Sequence, residues 1–188
     1  MEKFGAVIFF GLVMSTIAQA PPGPTLLDQC KSVQEKSGFN RQQFFTGVWF
    51  VTHAKDGTES TLCRKYSISE NSDGKLVVQY GTIGNRLQIF CIEKNGNSQA
   101  PHIFNCVVKK GEQIVHIYEV QKTIVEKDGN SALLYRCLQI GDRYIDTFLV
   151  LNRDAEGAVS QTVKDAISTQ SLNFGDFLSG QVLVVKRN

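Results

Sequence analysis

Eight stretches of this chain alternate apolar and polar residues with period two, and a turn sequence separates each from the next. The stretches run Phe45 to Lys55, Thr61 to Glu70, Lys75 to Thr82, Arg86 to Glu93, His102 to Lys109, Gln113 to Glu126, Ser131 to Ile140 and Tyr144 to Asn152. Alternation of that kind is the pattern of a half-buried β-strand. The links, among them Lys55-Asp56-Gly57, Asn71-Ser72-Asp73-Gly74, Gly84-Asn85, Asn95-Gly96-Asn97, Lys110-Gly111-Glu112, Asp128-Gly129-Asn130 and Gly141-Asp142, are short and rich in Gly, Asn and Asp. Short turns after every strand make sequence neighbours antiparallel partners. The predicted fold class is all-β: an eight-stranded antiparallel up-and-down barrel, with a two-sheet sandwich as the alternative. After the strands, Val159, Val163, Ala166 and Ile167 recur at helical spacing within Ala158 to Gln170, which predicts a C-terminal α-helix packed on the barrel wall. Val182 to Val185 could add a short strand.

The chain begins Met1-Glu2-Lys3, runs apolar from Phe4 to Met14 and turns to small residues by Ala18 and Ala20. This is the pattern of a secretory signal peptide over residues 1–20, cut after Ala18 or Ala20, leaving 21–188 as one domain. The apolar run is shorter than the about 20 residues a membrane span needs. An oxidising compartment makes Cys30, Cys63, Cys91, Cys106 and Cys137 disulfide candidates before metal ligands, and five is an odd number. With 20 basic and 18 acidic residues and a net charge of +2, the chain has no electrostatic footprint for nucleic acid.

Phe44-Phe45-Thr46-Gly47-Val48-Trp49 carries a G-x-W at the start of the first strand. Farther on stand Ser131-Ala132-Leu133-Leu134-Tyr135-Arg136-Cys137-Leu138, then Phe148-Leu149-Val150-Leu151-Asn152-Arg153, then the helix, then Ser171-Leu172-Asn173-Phe174-Gly175-Asp176-Phe177. Together these resemble the salivary lipocalins of blood-feeding triatomine bugs, a group with nitrophorins, triabin, pallidipin-like proteins and ADP-binding platelet-aggregation inhibitors. The resemblance implies a barrel floor of Gly47, Trp49 and Arg153, with the guanidinium packed across the indole. It also implies disulfides Cys30–Cys137 and Cys91–Cys106. The family partner of Cys63 is a C-terminal cysteine that this chain lacks, so Cys63 is left free or bonded to another chain. Nitrophorins hold haem through a proximal histidine, and the matching stretch Val77 to Thr82 has none, so no haem or other cofactor is expected.

If Cys137 faces out, Leu134, Arg136 and Leu138 face in. The family register places His116, Tyr118, Val120, Lys122 and Ile124 inside as well. Trp49, Val51 and His53 share the inner face of the first strand, and Leu62, Arg64 and Tyr66 that of the second if Cys63 points out. The faces so assigned carry no inward carboxylate, which disfavours a biogenic amine. Buried cations need a countercharge, so Arg136, Lys122 and Arg64 point to an anionic ligand, with Tyr118, Tyr66, His116 and Leu138 completing the candidate site. Phosphate suits such a cluster, and a tyrosine could stack on adenine. The alternative is that Lys122 and Arg136 snorkel to the mouth.

No G-x-S-x-G, P-loop, H-E-x-x-H or zinc spacing occurs, so the chain is expected to bind rather than catalyse and to hold no metal. The expected function is that of a secreted monomer in saliva that sequesters a small host mediator, ADP or related nucleotides first, and so inhibits platelet aggregation. Two alternatives stand beside it: an eicosanoid scavenger for thromboxane A2 or cysteinyl leukotrienes, and a triabin-like surface inhibitor of a clotting protease. Neither nucleic acid nor a membrane is an expected partner.

Overall fold

Side chains that alternate along every strand share one interior only if the sheet curls on itself, and closure also removes the exposed edges of a flat sheet. The computed structural model of the protein describes residues 25–58, 61–62, 64–82, 86–96 and 100–180. The signal peptide, Cys63, the Gly84-Asn85 turn, Asn97 and Val182 to Val185 lie outside the described residues. Eight strands follow in order: β1 (Gly47–Ala54), β2 (Lys65–Glu70), β3 (Leu76–Gly81), β4 (Leu87–Glu93), β5 (His102–Lys110), β6 (Gln113–Asp128), β7 (Ser131–Ile140) and β8 (Arg143–Asn152). Each pairs antiparallel with the next, and β1 pairs with both β2 and β8, closing the barrel. Thr61 and Leu62 form a turn before β2, yet Leu62 still buries its side chain. A two-residue strand β9 (Leu178–Ser179) adds to β1 at His53 and Ala54.

Three bulges adjust the alternation. On β1 the register to β8 shifts between Val51 and His53. An extra residue there reverses the faces that follow it, so Ala54 points inward and His53 turns out, its ring centroid 4.9 Å from that of Phe174. The expectation that His53 shares the inner face with Trp49 and Val51 is therefore wrong. The other two shifts lie on β6, opposite Val108/Lys109 of β5 and between Ile124 and Glu126 facing β7. β6 also overshoots its neighbour. Its pairing with β7 starts at Val120 opposite Leu138, so Gln113 to Ile117 stand above the adjacent wall and are exposed.

The core has two layers. Inside the barrel lie Trp49, Val51, Tyr66, Leu76, Val78, Phe104, Val120, Ile124, Leu134 and Leu151. Outside, Leu133, Tyr135, Phe148 and Val150 meet the helix α2 (Gln161–Thr169) through Val163 and Ile167, both fully buried. The helix starts later than its periodicity suggests because Ser160 caps it, its side chain accepting a hydrogen bond from the Val163 N–H. Cys30 and Cys137 form a disulfide that fastens the N-terminal segment to the outer face of β7. The second disulfide, Cys91–Cys106, joins directly opposed residues of β4 and β5 and faces the interior. Among the described residues no helix is long and apolar enough to cross a membrane.

Candidate ligand-binding site

The closed end is built around one residue. Gly47 adopts φ +71°, a left-handed conformation that glycine takes without strain, and the chain then enters β1 with Trp49 fully buried. The indole N–H donates to the Phe44 carbonyl at 2.8 Å, and Phe44 stacks on the ring at 4.7 Å. Phe44 closes a four-residue helix, α1 (Arg41–Phe44), that sequence alternation gave no hint of. Arg153 lies over the outer side of the indole, its guanidinium carbon 3.9 Å from the ring centroid. That guanidinium donates to the carbonyls of Gln43, Phe44, Thr46 and Val48.

Beside this floor sits a buried polar group that the sequence reading passed over. Glu93 is 1% exposed and points inward, receiving Arg41 Nη2, the Leu76 N–H at 3.3 Å and His102 Nδ1 at 3.3 Å. His102 Nε2 reaches Glu35 at 2.9 Å. Glu93 is an inward carboxylate on β4, a strand whose faces the sequence analysis left unassigned. The parity of Ile89, Cys91 and Glu93 along β4 carried the signal. Glu93 does not, however, bring an open acidic site, because Arg41 and His102 already match it.

Above the floor the interior turns cationic and phenolic. Lys122 and Arg136 stand opposite each other on β6 and β7. Lys122 is 4% exposed and lies inside, with Nζ 4.6 Å from the Phe104 ring centroid and 5.3 Å from that of Tyr66. It does not snorkel. Burial, with the charges of Arg136 and Arg64 adding to it, pulls its ammonium down to about 7. Among the described residues no ion pair joins a carboxylate to Lys122 or Arg136.

Arg136 is partly buried; desolvation opposes its charge, but Tyr80, Tyr66 and Tyr118 favour it and the net shift is upward. Arg64 lies over Tyr80, 5.4 Å from the ring centroid, and is hydrogen-bonded to Tyr66. Tyr80, absent from the sequence-based candidates although it shares parity with Leu76 and Val78, packs edge-on against Tyr66. Its hydroxyl shares a 2.8 Å hydrogen bond with that of Tyr118 across the interior, on the mouth side of Lys122. Leu138 is half-buried beside Val120. His116 is exposed on the overshooting end of β6, 5.8 Å from Tyr118 and roughly parallel to it, so it belongs to the rim and not to the enclosed interior.

These residues do not fit haem. Of the three histidines, His53 lies outside the barrel, His102 has both ring nitrogens facing carboxylates, and His116 stands exposed at the rim. A tyrosine ligand must ionise, and burial pushes both Tyr66 and Tyr80 upward. Among the described residues no cluster of three His, Cys, Asp or Glu side chains could hold a metal ion. What the interior offers is a set of cations and phenol hydroxyls inside an apolar wall. Such a lining can offer a guest positive charge and several hydrogen-bond donors.

Known proteins resemble this chain in sequence and fold. The chain is 28% identical to Triafestin-2 of Triatoma infestans, over 98% of this chain and 93% of that protein. It is 25% identical to Platelet inhibitor triplatin-2 of the same species, over 95% and 97%. Among solved structures, an LTBP1 mutant in complex with leukotriene C4 superposes with a TM-score of 0.58 at 25% identity, covering 73% of this chain and 85% of that one. The barrel, its tryptophan floor and a match of residues 30–186 to the Nitrophorin family model converge on one assignment: the chain belongs to the Nitrophorin family, among the triatomine salivary lipocalins.

Proposed function

We propose that this protein is secreted in saliva and sequesters a small, multiply charged anion of the host, ADP and related adenine nucleotides first, and so inhibits platelet aggregation. One observation carries the reading. Lys122 is buried beside Arg136 with no carboxylate paired to either among the described residues. A buried cation without a countercharge costs several kcal/mol after relaxation. A diphosphate supplies enough charge for Lys122, Arg136 and Arg64 together, and the guanidiniums offer bidentate contacts. Tyr66, Tyr80 and Tyr118 supply aromatic faces for a base. The signal-peptide pattern supports secretion, and the similarity to Platelet inhibitor triplatin-2 supports the physiological role.

A cysteinyl leukotriene is the second reading, favoured by the structural likeness to LTBP1 in complex with leukotriene C4. Its several carboxylates answer the same cations, whereas thromboxane A2 brings only one. Calorimetric titration of the disulfide-intact mature protein with ADP separates the two. A stoichiometric isotherm with a submicromolar Kd, about 8 kcal/mol or more of binding free energy, is expected, with the Lys122→Ala/Arg136→Ala variant silent. Silence toward ADP with tight binding of leukotriene C4 would replace the first reading by the second. Silence toward both would reject capture of either anion and favour surface inhibition of a clotting protease.

A further inference from the structure

We infer that an anion entering this interior is bound together with a proton taken up by Lys122. The inference rests on the anion-binding reading above and adds what binding does to the charge of the site. Lys122 is 4% exposed, and the groups around it are bases, phenols and rings. From β7 comes Arg136, opposite it in register, and from the segment leading into β2 comes Arg64. Tyr66 on β2 and Phe104 on β5 present their rings to its Nζ. His102 on β5 is its other register partner, and that ring is engaged with Glu93 and Glu35. Glu93, the charged group that β4 turns inward, is held by Arg41 and His102. Tyr80 on β3 and Tyr118 on β6 bond to each other. The inward side chains of β1 and β8 nearest the floor, Trp49, Val51, Leu149 and Leu151, carry no charge.

In the free protein both the loss of water and the two guanidiniums disfavour an ammonium at this position, which brings it to about 7. An anion lodged beside Arg136 and Arg64 reverses the second effect and outweighs the first, so the lysine returns toward its ordinary value near 10.5. The sign of the linkage follows. Above neutral pH the free protein holds Lys122 largely uncharged, so capture draws in a proton, and affinity falls up to about tenfold per pH unit as pH rises toward the bound-state value. Below about pH 6 the lysine is already charged and contributes no uptake.

The experiment is titration calorimetry with ADP at pH 8, where the nucleotide is itself fully ionised, run in Tris and again in HEPES so that buffer ionisation reports protons. Leukotriene C4 serves as the probe if ADP is silent. Close to one proton taken up per ligand is expected for the wild type. Lys122→Arg, which keeps the cation and removes its titration, should bind with the same heat in both buffers and with affinity constant from pH 7 to 9. Binding of the wild type with equal heat in the two buffers overturns the proton coupling alone. Undiminished uptake in Lys122→Arg overturns it too, by assigning the proton elsewhere. Absence of binding by both probes overturns this inference and the proposed function together.

Discussion

Arg153 caps Trp49: the guanidinium carbon stands 3.9 Å from the ring centroid while its nitrogens donate to four main-chain carbonyls around the barrel's closed end. A cation over an indole is worth about 0.5 to 2 kcal/mol, and the charged hydrogen bonds add to it. Arg153→Ala should therefore cost about 2 to 4 kcal/mol of stability. Arg153→Lys should lose less, keeping the cation but not the fork. Because Trp49 is the one tryptophan in the chain, urea unfolding followed by its fluorescence reads the effect directly. An unchanged midpoint for the alanine variant would remove Arg153 from the account of the floor.

Glu93 neutralises Arg41 and meets His102 in a nearly water-free setting. Glu93→Gln strips the countercharge from a mostly buried arginine, a change that costs about 3 to 5 kcal/mol in such pairs. Thermal unfolding should drop by roughly 10 °C on the scaling for a domain of this size. Adding Arg41→Gln to that variant should cost little more, since its partner is already gone, and a strictly additive pair would show the two to be independent.

Lys122 makes the opposite prediction. Its ammonium titrates near 7 in the folded protein against an ordinary value of 10.5, so between those values the unfolded chain binds more protons and stability rises with pH. Below about 7 the whole destabilising contribution is present, up to about 5 kcal/mol on the linkage relation. Lys122→Met should raise the stability of the unliganded protein by about 1 to 4 kcal/mol at pH 6, and the gain should shrink toward pH 10. Denaturant titrations at both pH values check it. A methionine variant less stable than wild type at pH 6 would mean that the lysine already has a satisfied environment.

The Cys30–Cys137 disulfide spans a sequence separation of 107. In the chain-entropy picture a crosslink of that length contributes about 4 to 5 kcal/mol. The Cys30→Ala/Cys137→Ala variant should keep its β-sheet circular dichroism while its urea midpoint falls by a corresponding amount. A midpoint within error of wild type would show that the Lys31–Asp146 ion pair and the Leu27–Tyr144 bridge hold the N-terminal segment unaided.

Much of this architecture is readable before any coordinates, because alternation and turn residues are local properties. Ser131 to Ile140 reproduces β7 at both ends, and the helical stripe Val159, Val163, Ala166, Ile167 finds the outer layer. His53 was misplaced because a bulge is set by the register between two strands, and a single strand's pattern does not reveal it. The helix α1 escaped notice because four residues contain barely one turn. The inward cations follow from parity once an outward Cys137 and the family register set its phase. Tyr80 and Glu93 obey the same parity on β3 and β4, where no cysteine or family register set its phase. What parity cannot supply is depth along the barrel axis, which separates buried Lys122 from His116 at the rim.

The acceptors that Arg153 uses are all peptide carbonyls, and this has a consequence for how such a chain can diverge. Substitution at Gln43, Thr46 or Val48 changes a side chain and leaves the carbonyl where it was, so the seal survives sequence drift among its own partners. The side chains that the joint does depend on are the arginine, the tryptophan, the Phe44 ring stacked on it and the left-handed Gly47.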